Sequence, residues 1–116
     1  MLIGRGGDDI FDFNSLSDSP TLAQADLIGD FEGAFFFGGD IIDLRTIDAN
    51  TAVLNNQAFT FVDVATSNVF AHKVTWFQDV ANNRTFIQAD VNGNTTADLV
   101  ITVRGLHILS GFDFFL

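Results

Sequence analysis

Hydrophobic and polar positions alternate most regularly in the last third of the chain. Thr85-Phe86-Ile87-Gln88-Ala89 has the period of two expected of a half-buried strand. So do residues 99–104, where Leu99, Ile101 and Val103 alternate with Val100, Thr102 and Arg104. Ahead of them, Lys73-Val74-Thr75-Trp76-Phe77-Gln78 predicts a strand with Val74 and Trp76 on one face, and residues 79–83 supply its turn. Three consecutive antiparallel segments are therefore expected. The first half carries shorter apolar runs. Ile10-Phe11-Asp12-Phe13, residues 26–31, residues 40–44 and Ala58-Phe59-Thr60-Phe61-Val62 each read as short strands, with Phe11 and Phe13 sharing a face. Residues 14–24 are rich in Ser and Asp, hold the one Pro and predict a loop, as do residues 50–56. Residues 69–72 predict a connector or a short strand.

Composition narrows this to an all-β chain. Its 116 residues make one domain, or part of one, and include 14 Phe, 10 Gly and 1 Pro, which favours short strands with tight turns around a packed core. Charge adds a second constraint. Fifteen acids, of which Glu32 alone is not Asp, face five Lys and Arg, for a net charge of −10. That balance argues against nucleic acid and anionic membranes as partners. It suits either a protein that binds divalent cations or one kept soluble by its charge, and the preference for Asp over Glu favours calcium. There is no cysteine, hence no disulfide and no thiolate metal site. The N-terminus lacks the features of a cleaved signal peptide. No apolar run is long enough for membrane insertion.

The polar stretch Asp90-Val91-Asn92-Gly93-Asn94-Thr95-Thr96-Ala97-Asp98 separates two of the expected strands. It puts oxygen-bearing side chains at alternate positions: Asp90, Asn92, Asn94, Thr96 and Asp98. Calcium takes six to eight oxygen ligands, and Gly93 supplies a bend that lets such ligands converge. The same residues are also the commonest turn formers. An EF-hand is ruled out, because Ile101 stands where its twelfth-position Glu belongs. Asp26, Asp30, Asp40 and Asp43 form a second acidic group, read either as a cation site or as solvated strand ends. Phe35, Phe36 and Phe37 cannot all face inward from extended chain, so they predict a loop over the core or an apolar contact with a neighbouring domain or a second copy. Catalytic patterns are missing. His72 and His107 lie far apart, there is no HExxH, and Ser110 lacks a G-x-S-x-G context, so no enzyme is expected.

The sequence DVNGNTTADLVITVRGLHIL, with FDFFL at the end, resembles the C-terminal domain of RTX (haemolysin-type calcium-binding) secreted proteins, which also closes serralysin-type metallopeptidases. Asn94-Thr95 replaces the family's usual Asp-Gly. Residues 26–31, 40–44 and 58–62 match further family segments, and Arg45-Thr46-Ile47-Asp48-Ala49 matches one that forms a short helical turn. Gly4-Arg5-Gly6-Gly7-Asp8-Asp9-Ile10-Phe11 looks like one glycine-rich β-roll repeat. Gly4 and Gly7 would turn the chain, Asp9 would bind the ion, Phe11 would point inward, and Arg5 stands where Gly is usual. The resemblance implies the end of a parallel β-roll (residues 1–13) capped by antiparallel strands in a sandwich-like domain (residues 14–116). It implies Ca2+ as cofactor, with Asp9, Asp26, Asp40, Asp43, Asp90, Asn92, Asn94 and Asp98 as candidate ligands. It further implies upstream RTX repeats or a passenger domain as partner, since a lone repeat holds only part of a site. Asp113, Phe114, Phe115 and Leu116 resemble the terminal motif read by type I ABC exporters, which implies an extracellular protein. Before them, Ser110-Gly111-Phe112-Asp113 resembles a capped turn.

Overall fold

The alternation across residues 73–104 folds as an antiparallel meander. In the computed structural model, which describes residues 1–33 and 39–116, strand β5 (Lys73–Asp79) pairs with β6 (Arg84–Ala89) from Val74↔Ala89 to Asp79↔Arg84. β6 pairs with β7 (Leu99–Arg104) from Arg84↔Arg104 to Ala89↔Leu99. Thr85, Ile87 and Ala89 are buried while Arg84, Phe86 and Gln88 are half-buried, as a period of two requires. β7 departs from that pattern, with five of its six residues buried. The cause is cover on its other side. Ser19 bonds both main-chain groups of Val100 and takes the Asp26 N–H on its hydroxyl, at 2.9 Å.

The short strands of the first half are β1 (Ile10–Asp12), β2 (Asp26–Ile28), β3 (Ile41–Asp43) and β4 (Thr60–Phe61); β8 (Phe114–Phe115) ends the chain. They build two sheets, ordered β2-β7-β6-β5-β4 and β1-β3-β8. The chain alternates between them. Leu2 bridges to Ile28 at the margin of the larger sheet, β1 joins the smaller, β2 the larger and β3 the smaller. After the β4–β7 excursion in the larger sheet, β8 returns to the smaller. The β1–β3, β3–β8 and β2–β7 pairings are all parallel. This is a two-sheet roll in three stacked levels, with the meander inserted before the last. Phe11, Ile42 and Phe114 stand in register across the levels and are all buried. Phe13, Leu44, Ile28, Val103 and Ile101 fill the space between the sheets.

Several local expectations change. Residues 45–49 do not form a helical turn: Ile47 N–H bonds Leu44 C=O at 3.0 Å and the chain goes no further into a helix. The loop of residues 14–24 contains two single 3₁₀ turns, Leu16–Asp18 and Leu22–Gln24. The first is closed by a capping box between Ser15 and Asp18. Only Thr60–Phe61 of residues 58–62 is strand, and residues 69–72 connect without one. Among the described residues there is no α-helix. Phe35, Phe36 and Phe37 lie outside them.

Candidate functional site

The glycine-rich opening segment crosses from one sheet to the other above the turn that joins β2 to β3. Carboxylates of the lower level hold main-chain N–H groups of the upper. Asp30 accepts from Gly4 at 2.9 Å and Arg5 at 2.6 Å, and Asp40 accepts from Asp9 at 3.0 Å and, within its own level, from Glu32 at 2.8 Å. In return Asp8 accepts from Gly39 at 2.9 Å. Asp40 is fully buried, which these charge-assisted bonds make tolerable. Asp9 stands beside Asp40 in the parallel register but one level higher. Its Oδ2 is buried and has no hydrogen-bond partner among the described residues. Gly4 is required here, because a Cβ at that position would stand 2.5 Å from that same oxygen. Arg5 adopts φ +74°, the left-handed conformation of the glycine it replaces.

The four Asp of residues 26–43 do not share one site. Asp26 lies in β2 and Asp43 in β3, in different sheets, while Asp30 and Asp40 each face donors of their own. Asp43 is gripped by Arg45. The guanidinium Nε reaches Oδ1 at 3.0 Å and Nη2 reaches Oδ2 at 2.7 Å. Those hydrogen bonds hold the Asp43 carboxyl below its usual range, against an opposing effect of burial, and raise Arg45 in turn. The guanidinium also sits 4.5 Å from the centre of the Phe115 ring, which ties β3 to the end of the chain. Among the described residues no three Asp, Glu or His side chains come together in a way that could hold a metal ion.

The stretch from Asp90 to Asp98 connects β6 to β7, and its oxygens face main-chain amides. Asp90 is fully buried. Its Oδ1 accepts from Asn92 at 2.9 Å and Gly93 at 2.8 Å, and its Oδ2 accepts from Thr95 at 2.6 Å. Asp98 accepts from the Val91 N–H at 2.9 Å and the Asn92 side chain at 3.3 Å. Asn92 and Asn94 bond the amides two residues on, at 3.1 and 2.9 Å. A carboxylate ringed by N–H groups is already charge-compensated, and those dipoles point their positive ends where a cation would sit. This donor set does not fit calcium as it stands. Thr95 has φ +61° at the position where the family usually has Gly. A β-branched residue pays for that conformation, so Thr95→Gly is expected to raise stability by about 1 kcal/mol, read from the midpoint of urea unfolding. An unchanged or lower midpoint would show that the turn is unstrained.

At the end of the chain the Ser110 hydroxyl and the Asp113 carboxylate form a capping box around the 3₁₀ turn Gly111–Asp113. Asp113 and Phe114 are buried, at 3% and 6% exposure, and Leu116 packs against the core, so the proposed export motif is folded into the domain.

The sequence pattern of the family described as Peptidase M10 serralysin C terminal matches residues 1–116. The chain belongs to that family. No curated protein matches this serralysin C-terminal domain in sequence. Among solved structures it is similar to the solution structure of the AlgE6R2 subunit from the Azotobacter vinelandii mannuronan C5-epimerase. The TM-score is 0.60 at 21% identity, over 97% of this chain and 62% of that one. At that identity the likeness concerns the fold, which is an all-β roll of the RTX kind. Serralysin C-terminal domains form the non-catalytic part of serralysin-type proteins, and membership implies a secreted protein. Sequence reasoning singled out Asp9 and Asp40 but missed the clamp of Arg45 on Asp43. The signal for it was a basic residue two positions after a strand-ending acid.

Proposed function

We propose that this serralysin C-terminal domain closes a calcium-ordered β-roll and carries the address for type I secretion. One observation carries the reading: the buried Oδ2 of Asp9 in the uppermost level, which has no partner among the described residues. One level below, Asp40 has each oxygen filled by a main-chain N–H. Asp9 therefore has an acceptor left over in the uppermost level, packed against Gly4. Calcium suits that oxygen, because it favours carboxylate and main-chain oxygens. Asp9 would supply the carboxylate and an upstream turn the remaining ligands. When bound, the ion supplies positive charge that offsets the acidic chain and couples binding to folding.

Secretion follows from the same charge. With little calcium inside the cell, the acidic chain resists completing its roll, which keeps the terminal Asp113-Phe114-Phe115-Leu116 accessible to an ABC exporter. Outside, calcium completes the upper levels on the folded cap.

The test is thermal unfolding of the chain lengthened by one glycine-rich turn ahead of Met1, with chelator and with millimolar calcium. Calcium is expected to raise the melting temperature by about 5 °C, and Asp9→Ala should remove that gain. An equal gain in the Asp9→Ala chain would place the ion elsewhere, and no gain in either would refute calcium coupling at this level.

A further inference from the structure

In the turn between β6 and β7, Asn92 is the only Asn of the chain followed by Gly, and both residues are exposed. Asn before Gly is the most reactive such pair in a polypeptide, because no side chain hinders attack of the second residue's nitrogen on the Asn carboxamide. The fold demands that glycine. Gly93 has φ +79°, and a Cβ there would stand 3.2 Å from His72 Nε2, whose ring is fixed by Nδ1 donating to Ala49 C=O at 2.8 Å. The folded turn also restrains both reacting groups. The Gly93 N–H donates to Asp90 Oδ1 at 2.8 Å. Asn92 accepts the Asn94 N–H on Oδ1 at 3.1 Å and donates from Nδ2 to Asp98 Oδ1 at 3.3 Å. Attack requires the Gly93 nitrogen to give up its proton and carry negative charge. The buried Asp90 carboxylate holds that proton and repels that charge.

We infer that Asn92 is a site of spontaneous deamidation, open while the chain is unfolded and closed by Asp90 once the turn forms. In the unfolded chain hydroxide removes the Gly93 amide proton, and the nitrogen adds to Asn92 Cγ. The Cγ–Nδ2 bond then breaks, and ammonia leaves with a proton from water, which restores the hydroxide. The resulting succinimide takes up water at either carbonyl and opens to aspartate or isoaspartate. Aspartate replaces the Nδ2 donor to Asp98 by a second negative charge. Isoaspartate adds a methylene to the main chain between two amides that Asp90 holds, those of residues 92 and 93. Either product fits the turn worse than Asn, so time spent unfolded is recorded at this residue. The inference does not depend on the calcium reading.

The full chain would be kept in mildly alkaline buffer, folded and in concentrated guanidinium chloride, and sampled for peptide mass mapping. In denaturant Asn92 is expected to convert about tenfold faster than Asn14, which precedes Ser, and about tenfold or more faster than in the folded chain, the factor a charge-assisted bond supplies. Asp90→Asn keeps an acceptor but not the charge, and should speed conversion in the folded chain about threefold to tenfold. Phe115→Ser, at the other end of the chain, should leave the rate unchanged, which separates release of Gly93 from general loss of stability. Amide NMR spectra show which variants fold. If Asp90→Asn does not, hydrogen exchange of the unaltered chain decides: the Gly93 amide should be better protected than that of Asn94, whose acceptor is uncharged. The inference is overturned if Asn92 in denaturant is no faster than Asn14, or if it converts as fast folded as unfolded. It is equally overturned if Asp90→Asn leaves the rate unchanged, if Phe115→Ser raises it as much, or if Gly93 exchanges as freely as Asn94.

Discussion

Asp90→Ala is expected to lower the unfolding free energy by about 3–5 kcal/mol, among the largest effects of any single substitution outside the apolar core. The carboxylate accepts three main-chain N–H groups from beneath a turn it shares with no other anchor of equal depth. Charge-assisted bonds of this kind contribute roughly 1.5–3 kcal/mol each. The sum is not reached, because Asn92, Gly93 and Thr95 are exposed and water can replace part of what is lost. The turn also sets the β6–β7 register: Asp98 N–H bonds Ala89 C=O at 2.8 Å directly after β6 ends. Asp90→Asn keeps the shape and one acceptor oxygen and should cost about half as much. Urea unfolding measures both, and the losses should be equal in chelator and in calcium. A loss that appears only with calcium present would return this turn to the candidate metal ligands. A loss under about 1 kcal/mol would mean that solvent serves these amides as well as Asp90 does.

Removing residues 113–116 is expected to cost more than about 4 kcal/mol, a large share of the 5–15 kcal/mol typical of a domain. Phe114 alone is a buried aromatic, stacked in register on Ile42 and 5.1 Å from the Phe61 ring. With it go the Leu44 N–H bond to Phe115 C=O at 2.9 Å and the Asp113 cap. Export measured on such a deletion would therefore report lost folding and loss of the proposed address together. Phe115→Ser separates them. Phe115 is 37% exposed and its ring lies 4.5 Å from the Arg45 guanidinium, so the expected cost is about 1 kcal/mol. Melting temperatures of the two variants test this. A deletion that melts within a few degrees of the intact chain would show that β8 is dispensable to the fold.

The meander was legible because its signal is local: alternation within a strand and a turn of Asp, Asn and Gly immediately after it. The pairing of β1 with β3 and of β3 with β8 was not, since parallel strands meet across long connections and each spans only two or three residues. The repeat resemblance of residues 4–11 gave the roll, but not the fact that its last level closes after the meander. At the acidic positions, sequence could not separate ligand from cap, because the residues that bind calcium in a turn are the same ones that bond its amides. Asp90 shows the second outcome and Asp9 leaves room for the first. Arg45 was hidden for another reason. A guanidinium that folds back two residues onto Asp43 leaves no periodic trace.

The order of the levels has a kinetic consequence. Ile42 waits beside a position that only Phe114 can fill, while β5, β6 and β7 meet through short turns. Local hairpins form in microseconds, but pairing across a long loop must first meet its closure entropy. The smaller sheet therefore closes last, once Phe114 has met Ile42. High contact order acts here as a delay, and it falls on the strand that carries the proposed export motif.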